Sequence, residues 1–320
     1  MENFCDLYIT KDSFARVRLA DRSELYRILP FLECRLPSSC ETHLLVLSAL
    51  LTSKPAYGIY FLRNSTSTKN NDEFSAIVGI KEEQRLNSYN QIQKVWILGG
   101  WSLNESALLR VYKAIDRIDW KHDIVLAYNR AHQPHPDLLQ FFNDRQRIKM
   151  PFPLLDRYGI DVSQALELNI ELPDDVYVKS LEVCHAPLVF QTWPYRHLTT
   201  LQDVIDEIIY LPSAGIFLKS NDKLVTWMMC HPPNGMSRLM TLEPYRRKGY
   251  ASLVTKYLTK RMAQCGHFPY VNIVAGNSVT GTFFKSLGFR YLGAGHAWVT
   301  SPRDSLHDNE IVSNNNAGSP

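Results

Sequence analysis

Thr241-Leu242-Glu243-Pro244-Tyr245-Arg246-Arg247-Lys248-Gly249-Tyr250-Ala251-Ser252 joins two segments of different periodicity. Met236 to Leu242 is short and mostly apolar, as a strand is, while Tyr250 to Gln264 carries Leu253, Val254, Tyr257, Leu258, Arg261 and Met262 at helical spacing. Pro244 ends the strand because it cannot donate to a ladder. Gly249 lets the backbone take a positive φ or approach a ligand closely. The helix then opens at about Tyr250, and its first N–H groups have no intrahelical partner and carry the positive end of the helix dipole. With Arg246, Arg247 and Lys248 just before them, these groups form an anion site suited to a phosphate or pyrophosphate. A basic turn of this kind is also a common solvated loop, so its surroundings have to decide.

The chain has 320 residues, enough for about two domains. A net charge of +3 gives no global field of the kind a nucleic-acid binder carries, and no run reaches the roughly 18 apolar residues of a membrane span. Neither partner is expected. Cys5, Cys34, Cys40, Cys184, Cys230 and Cys265 form no Cys-x-x-Cys pair, so buried inert thiols are expected instead of zinc or disulfides. His132, His135 and Asp137 approximate metal-ligand spacing, but Pro134 and Pro136 interrupt them, and a polar surface loop is the expectation. No metal is implied.

In the first half, Ser23–Leu29 and His43–Leu51 read as helices, and Tyr57–Leu62, Phe74–Lys81 and Val95–Gly99 as strands. Asn64–Asp72 reads as a loop. A helix over Glu105–Ile118, a strand over Ile124–Tyr128 and a helix over Pro136–Asp144 complete an α/β unit. The stretch Met150–Asp175, with Pro151, Pro153, Gly159 and Pro173, reads as a boundary region holding a short helix at Val162–Leu168.

The second half reads as a strand at Val176–Val183, an apolar run to Trp193, a helix at Leu201–Ile209 and a hairpin of Ala214–Lys219 with Lys223–Cys230. The decisive strand and helix follow. A strand at Tyr270–Ala275, a helix at Thr280–Ser286, and two strands at Phe289–Leu292 and His296–Thr300 come last. Residues 301–320 lack the apolar content to fold and are expected to be disordered.

This order, with Arg246-x-x-Gly249-x-Ala251 at the strand-to-helix turn, Asn277, and Phe283-Phe284-Lys285-Ser286-Leu287-Gly288-Phe289, resembles the acyl-CoA N-acyltransferases of the GNAT superfamily over about residues 181–299. Leu181-Glu182-Val183, His185-Ala186, Val189, Trp193, Thr241-Leu242 and Tyr245-Arg246 are similar to its glycine N-acyltransferase-like branch. The resemblance implies an α/β chain whose C-terminal half has the GNAT fold, a mixed, mostly antiparallel sheet flanked by helices. The expected organisation is a variable, degenerate GNAT-like α/β domain over 1–165, a linker over 166–180, and the acyl-CoA-binding domain over 181–300.

It also gives the anion site a ligand, the diphosphate of coenzyme A, held by Arg246, Arg247, Lys248, Gly249, Tyr250, Ala251 and Ser252. Met240 and Leu242 would meet the pantetheine arm and thioester through their strand. Asn277 would touch the arm, or cap the following helix. Acyl-CoA is then a co-substrate, and the acceptor a small amine, glycine or another amino acid, attacking directly. Two departures stand out. Phe284 occupies the place of the Tyr that protonates the leaving thiolate in many relatives, and Gly235 that of the branch's general-base Glu, with no Asp or Glu in the whole run Lys223–Leu242.

Substitutes for the base are His231, Glu243, or a water held by Ser237, with His231 and Ser237 the catalytic candidates. His185 reads as a hydrogen-bonded core residue, and Arg238 as either a partner for an acceptor carboxylate or a solvent-facing strand residue. Trp193, Tyr195, Trp227, Met228 and Met229 read as core or as acceptor pocket. A protein N-acetyltransferase and a non-catalytic acyl-CoA-binding module are the alternatives. A cytoplasmic monomer or weak homodimer is expected, with the mitochondrion as the other location.

Overall fold

The computed structural model describes residues 17–52, 56–64, 73–86, 91–128, 136–149 and 155–302. Cys5, the loop with His132 and His135, most of Asn64–Asp72, and 303–320 of the expected disordered tail lie outside these.

The N-terminal half runs β1 (Arg18–Leu19), α1 (Arg22–Glu33), α2 (Cys40–Thr52), β2 (Tyr57–Arg63), β3 (Phe74–Leu86), β4 (Ile92–Ser102), α3 (Glu105–Ala114), β5 (Asp123–Tyr128), α4 (Pro136–Arg145) and β6 (Arg147–Lys149). Next come β7 (Leu155–Gly159) and α5 (Val162–Leu166). The C-terminal half runs β8 (Val176–Lys179), α6 (Ala186–Thr192), α7 (Leu201–Tyr210), β9 (Ser213–Leu218), β10 (Leu224–His231), β11 (Gly235–Thr241), α8 (Tyr250–Gln264), β12 (Tyr270–Val274), α9 (Ser278–Ser286) and β13 (Arg290–Ser301). Each half therefore reads strand, two helices, three strands, helix, strand, helix, strand. One order of elements is used twice.

The strands form one continuous sheet in the order β1-β2-β3-β4-β5-β13-β7-β12-β11-β10-β9-β8, with β6 also on β13. β13 joins the halves: Arg290 to Gly295 pair with β7, and His296 to Thr300 pair with β5. The two strands expected at its ends are thus one, and Ser301, expected in the tail, pairs with Arg147. β7 falls in the stretch read as a boundary region and lies between β12 and β13. Its polar Arg157 is buried because it pairs with Glu41 at the start of α2 and donates to Asn272 Oδ1 at 3.0 Å.

Local signals explain several boundaries. Asp21 and Glu24 form a capping box for α1, and Thr200 and Asp203 another for α7. The strand expected at Val176–Val183 stops at Lys179, because Val183–His185 is a turn of 3-10 helix leading into α6. β3 and β4 run past the expected Lys81 and Gly99 as a long ribbon paired from Ala76↔Ser102 to Leu86↔Ile92. Gly79 and Gly99 stay inside this ribbon, where a Cβ would meet Leu45 of α2 at 2.8 and 2.9 Å. Their absent side chains let α2 lie directly on the sheet.

Helix α2 serves both halves. Leu45 and Leu50 pack in the core beneath α1, while Cys40 and Leu44 join the largest cluster, which fills the space between α8 and the sheet with Tyr158, Ile216, Met228, Val254 and Leu258. On the opposite face of the C-terminal sheet, Val189 of α6 and Val204 and Ile208 of α7 cover Trp227 and Met229. Cys40 and Cys230 are buried free thiols, and burial pushes the Cys40 thiol up to about 12, whereas Cys34, Cys184 and Cys265 are free but exposed, against the expectation of burial. No helix among the described residues is long and apolar enough to cross a membrane.

Candidate active site

The turn after β11 has the geometry its composition predicts. Gly249 is the N-cap of α8 at φ +79°, with no side-chain cap, and Arg247 is also left-handed at φ +63°. A Cβ on Gly249 would meet nothing within 4 Å, so it is the backbone angle, not crowding, that calls for glycine. Ser252 and Leu253 are the first residues whose N–H groups return into the helix, both to the Gly249 carbonyl. Before them, the Arg246 N–H is taken by the Glu243 carbonyl at 3.2 Å, and the first N–H groups of a helix have no partner within it.

In front of the start of α8 lies a cavity of about 360 Å³ lined by Leu239, Met240, Thr241, Tyr245, Arg246, Arg247, Gly249, Tyr250 and Ala251. Arg246 is aimed by its Nε, which donates to the Thr241 carbonyl at 3.2 Å, and Tyr250 Oη donates to Asp175 Oδ2 at 3.3 Å. Lys248 is outside the lining, its Nζ 5.7 Å from the Tyr245 ring centroid.

The cavity is lined by the end of β11, the turn and the start of α8, and β11 parts from β12 after one pair among the described residues, Gly235↔Val271. At Gly235, with φ +74°, a Cβ would stand 2.3 Å from the Tyr270 carbonyl oxygen, so only glycine brings the strands this close. β11 also carries a bulge. Trp227 pairs with Met240 and Met229 with Ser237, leaving Met228 opposite both Arg238 and Leu239, and Arg238 sits at φ +55°. Leu242 lies just past the strand, and its N–H is taken by the Val225 carbonyl at 2.9 Å.

The other sequence candidates divide. Asn277 caps α9, its Oδ1 accepting from the Thr280 N–H at 3.0 Å. Phe284 is core, 2% exposed and edge-on to Phe289. His185 Nδ1 accepts from the Glu182 N–H, as its reading as a hydrogen-bonded residue predicts. Ser237 is half-buried on β11. His231 ends β10, buried, with Nδ1 2.5 Å from Glu207 Oε1. Arg238 is neither solvent-facing nor free for a carboxylate ligand, because it is buried against Glu207 with its guanidinium 4.5 Å from the Trp193 ring centroid.

Glu207 was not singled out from the sequence, and it organises this second cluster. Burial alone would raise its pKa, but Arg238 and His231 outweigh burial and hold it at about 2. The signal was present in α7, where Val204, Glu207 and Ile208 share one buried stripe. A carboxylate on an apolar stripe requires a cationic partner.

The C-terminal half therefore has the GNAT fold, and its first-half counterpart repeats the order of elements. A Drosophila protein of known crystal structure superposes with a TM-score of 0.67 at 14% identity, over 90% of this chain and 98% of that one. A tandem GNAT protein from the clavulanic acid biosynthesis pathway superposes with a TM-score of 0.50 at 8% identity, over 90% and 98%. In sequence, residues 213–299 match the model of the family described as FR47-like protein. No curated protein matches the chain. The matched segment spans the strand-turn-helix unit and the cavity before it.

Proposed function

We propose that the chain is an acyl-CoA-dependent N-acyltransferase acting on a small amine, an amino acid of the glycine type, within the glycine N-acyltransferase-like branch of the GNAT superfamily. The parting of β11 and β12 directly in front of the uncapped, basic start of α8 carries this reading. The nest of N–H groups with Arg246 and Arg247 takes the diphosphate, and the freed edge of β11 takes the pantetheine arm as an added strand. The bulge at Arg238 and Leu239 turns backbone N–H groups near Met240 towards the thioester carbonyl, where they stabilise the developing oxyanion. CoA is a co-substrate here, and the chemistry needs no metal.

Small acceptors are favoured by the covering of the opposite face: α6, α7 and Trp193 close over Trp227, Met229 and Arg238 where a peptide would need an open groove. The non-catalytic alternative rests on Phe284, which has no proton to give the departing thiolate. Calorimetry with an acyl-CoA tests the site. Changing Arg246→Ala and Gly249→Val together should weaken binding roughly 100-fold, since a charge-assisted contact and a positive φ are lost at once; unchanged affinity removes the assignment. Thiol release with a panel of acyl-CoAs and amines then separates enzyme from binding module.

A further inference from the structure

The cavity at the start of α8 leaves the buried cluster on the opposite face of β11 without a role. Glu207 of α7 bridges His231 at the end of β10 and Arg238 in the bulge of β11. The three are 4 to 6% exposed, and Trp193 packs on both His231 and Arg238. The N-terminal half closes the cluster: β3 packs on the 3-10 turn Arg196–Leu198 and brings Lys81 and Glu83, themselves paired at 2.6 Å, into the same buried field. Two ionic residues of one half and three titratable residues of the other are thus desolvated together. As a device for stability alone this is poor, because buried pairs barely repay their desolvation.

The geometry points to a base. An ionised carboxylate only accepts hydrogen bonds, so at 2.5 Å from Glu207 the Nδ1 of His231 must carry the hydrogen. In its neutral form the ring has its lone pair on Nε2, and the only hydrogen bond of the ring to a described residue is the one at Nδ1. We propose that His231 Nε2 is the general base of the reaction and Glu207 the positioning residue that holds its tautomer, in a site roofed by the N-terminal half. This rests on the acyltransferase reading above. His231 Nε2 takes a proton from the acceptor's ammonium group, and the freed amine attacks the thioester carbonyl carbon. The C–N bond forms, the C–S bond breaks, and CoA leaves as a thiolate that takes the second proton of the acylated nitrogen. The imidazolium returns its proton to water.

The test compares two nucleophiles. Hydroxylamine is already neutral at pH 7 and needs no base, whereas an amino acid is mostly ammonium. With the amino acid that the wild-type protein acylates fastest, His231→Gln should lower kcat/KM about 10²- to 10⁴-fold, and Glu207→Gln less. With hydroxylamine both variants should stay within a few-fold of wild type. Equal losses with both nucleophiles, or no loss with either, overturn the base. So does a wild type that acylates hydroxylamine but no amino acid. Acyl-CoA binding by calorimetry, measured on each variant, keeps the two readings apart: preserved binding with a wrong nucleophile pattern sinks the dyad alone, while a wild type that binds no acyl-CoA sinks the acyltransferase and the dyad with it. Should His231→Gln fail to fold, Glu207→Gln carries the same comparison.

Discussion

The two halves follow one order of elements and treat its central seam in opposite ways. In the N-terminal half β4 and β5 pair in parallel from Val95↔Asp123 to Gly99↔Ala127. The helix that follows is satisfied from within: Asn104 Oδ1 accepts from the Ala107 N–H at 2.9 Å, and Glu105 lies in the first turn. In the C-terminal half β11 and β12 pair at one position among the described residues, Gly235↔Val271, and α8 opens without a side-chain cap behind three basic residues. A closed seam with a capped helix is a piece of sheet. An open seam with an uncapped helix is a place for a ligand with an anionic head and an extended body.

The contrast breaks most sharply at the vertex. Gly235→Ala puts a Cβ against the Tyr270 carbonyl oxygen at a positive φ, so we expect a loss of roughly 3 kcal/mol and of acyl-CoA binding. Gly99→Ala in the closed seam meets the flexible Leu45 side chain, and should cost about 1–3 kcal/mol with acyl-CoA binding intact. Denaturant midpoints and calorimetry on both variants check the pair. If the two lose binding alike, the open seam is not the site.

Acid tests how the halves are held together. His43 of α2 and His267, just before β12, are both 1% exposed, and His267 has no hydrogen-bond partner among the described residues at either ring nitrogen. Burial, helped by the neighbouring His267, lowers His43 to about 3, and burial lowers His267 to about 4. Folded pKa values below the unfolded 6.5 mean that the unfolded chain binds the extra protons. Stability is therefore full above about pH 6.5 and falls as the pH drops towards 4, by up to ~1.4 kcal/mol per unit for each histidine. Denaturant titrations across that window should show the slope, and His267→Leu should reduce it. The smallest effect is expected at the capped helix: Asn104→Ala should cost about 1 kcal/mol in thermal unfolding and leave acyl-CoA affinity where it was.

What the sequence showed and hid follows from the range of the interactions. The turn at Thr241–Ser252 was legible because it is local: a proline, three bases, a glycine and a periodic helix lie within one short stretch. Asn277 was legible as a cap for the same reason. β7 was not, since Asp156 and Arg157 interrupt its apolar pattern and Arg157 is accommodated only by Glu41, far away in the chain. The cluster around Glu207 hid likewise. The run Lys223–Leu242 lacks an acid, and the acid is supplied across space from α7, which no periodicity within the run can indicate. The parting of β11 from β12 is a relation between strands, and neither strand announces it alone.

β13 carries a consequence for how the protein is made. Its second half, His296 to Thr300, is the outer neighbour of β5, yet it is synthesised after every other described strand. A growing chain therefore displays the apolar edge Ile124-Val125-Leu126-Ala127-Tyr128 without that partner while all of the C-terminal half is still being added. An open strand edge of this composition invites pairing with another chain. The strand that makes the two halves one sheet is the last of the described strands to be made.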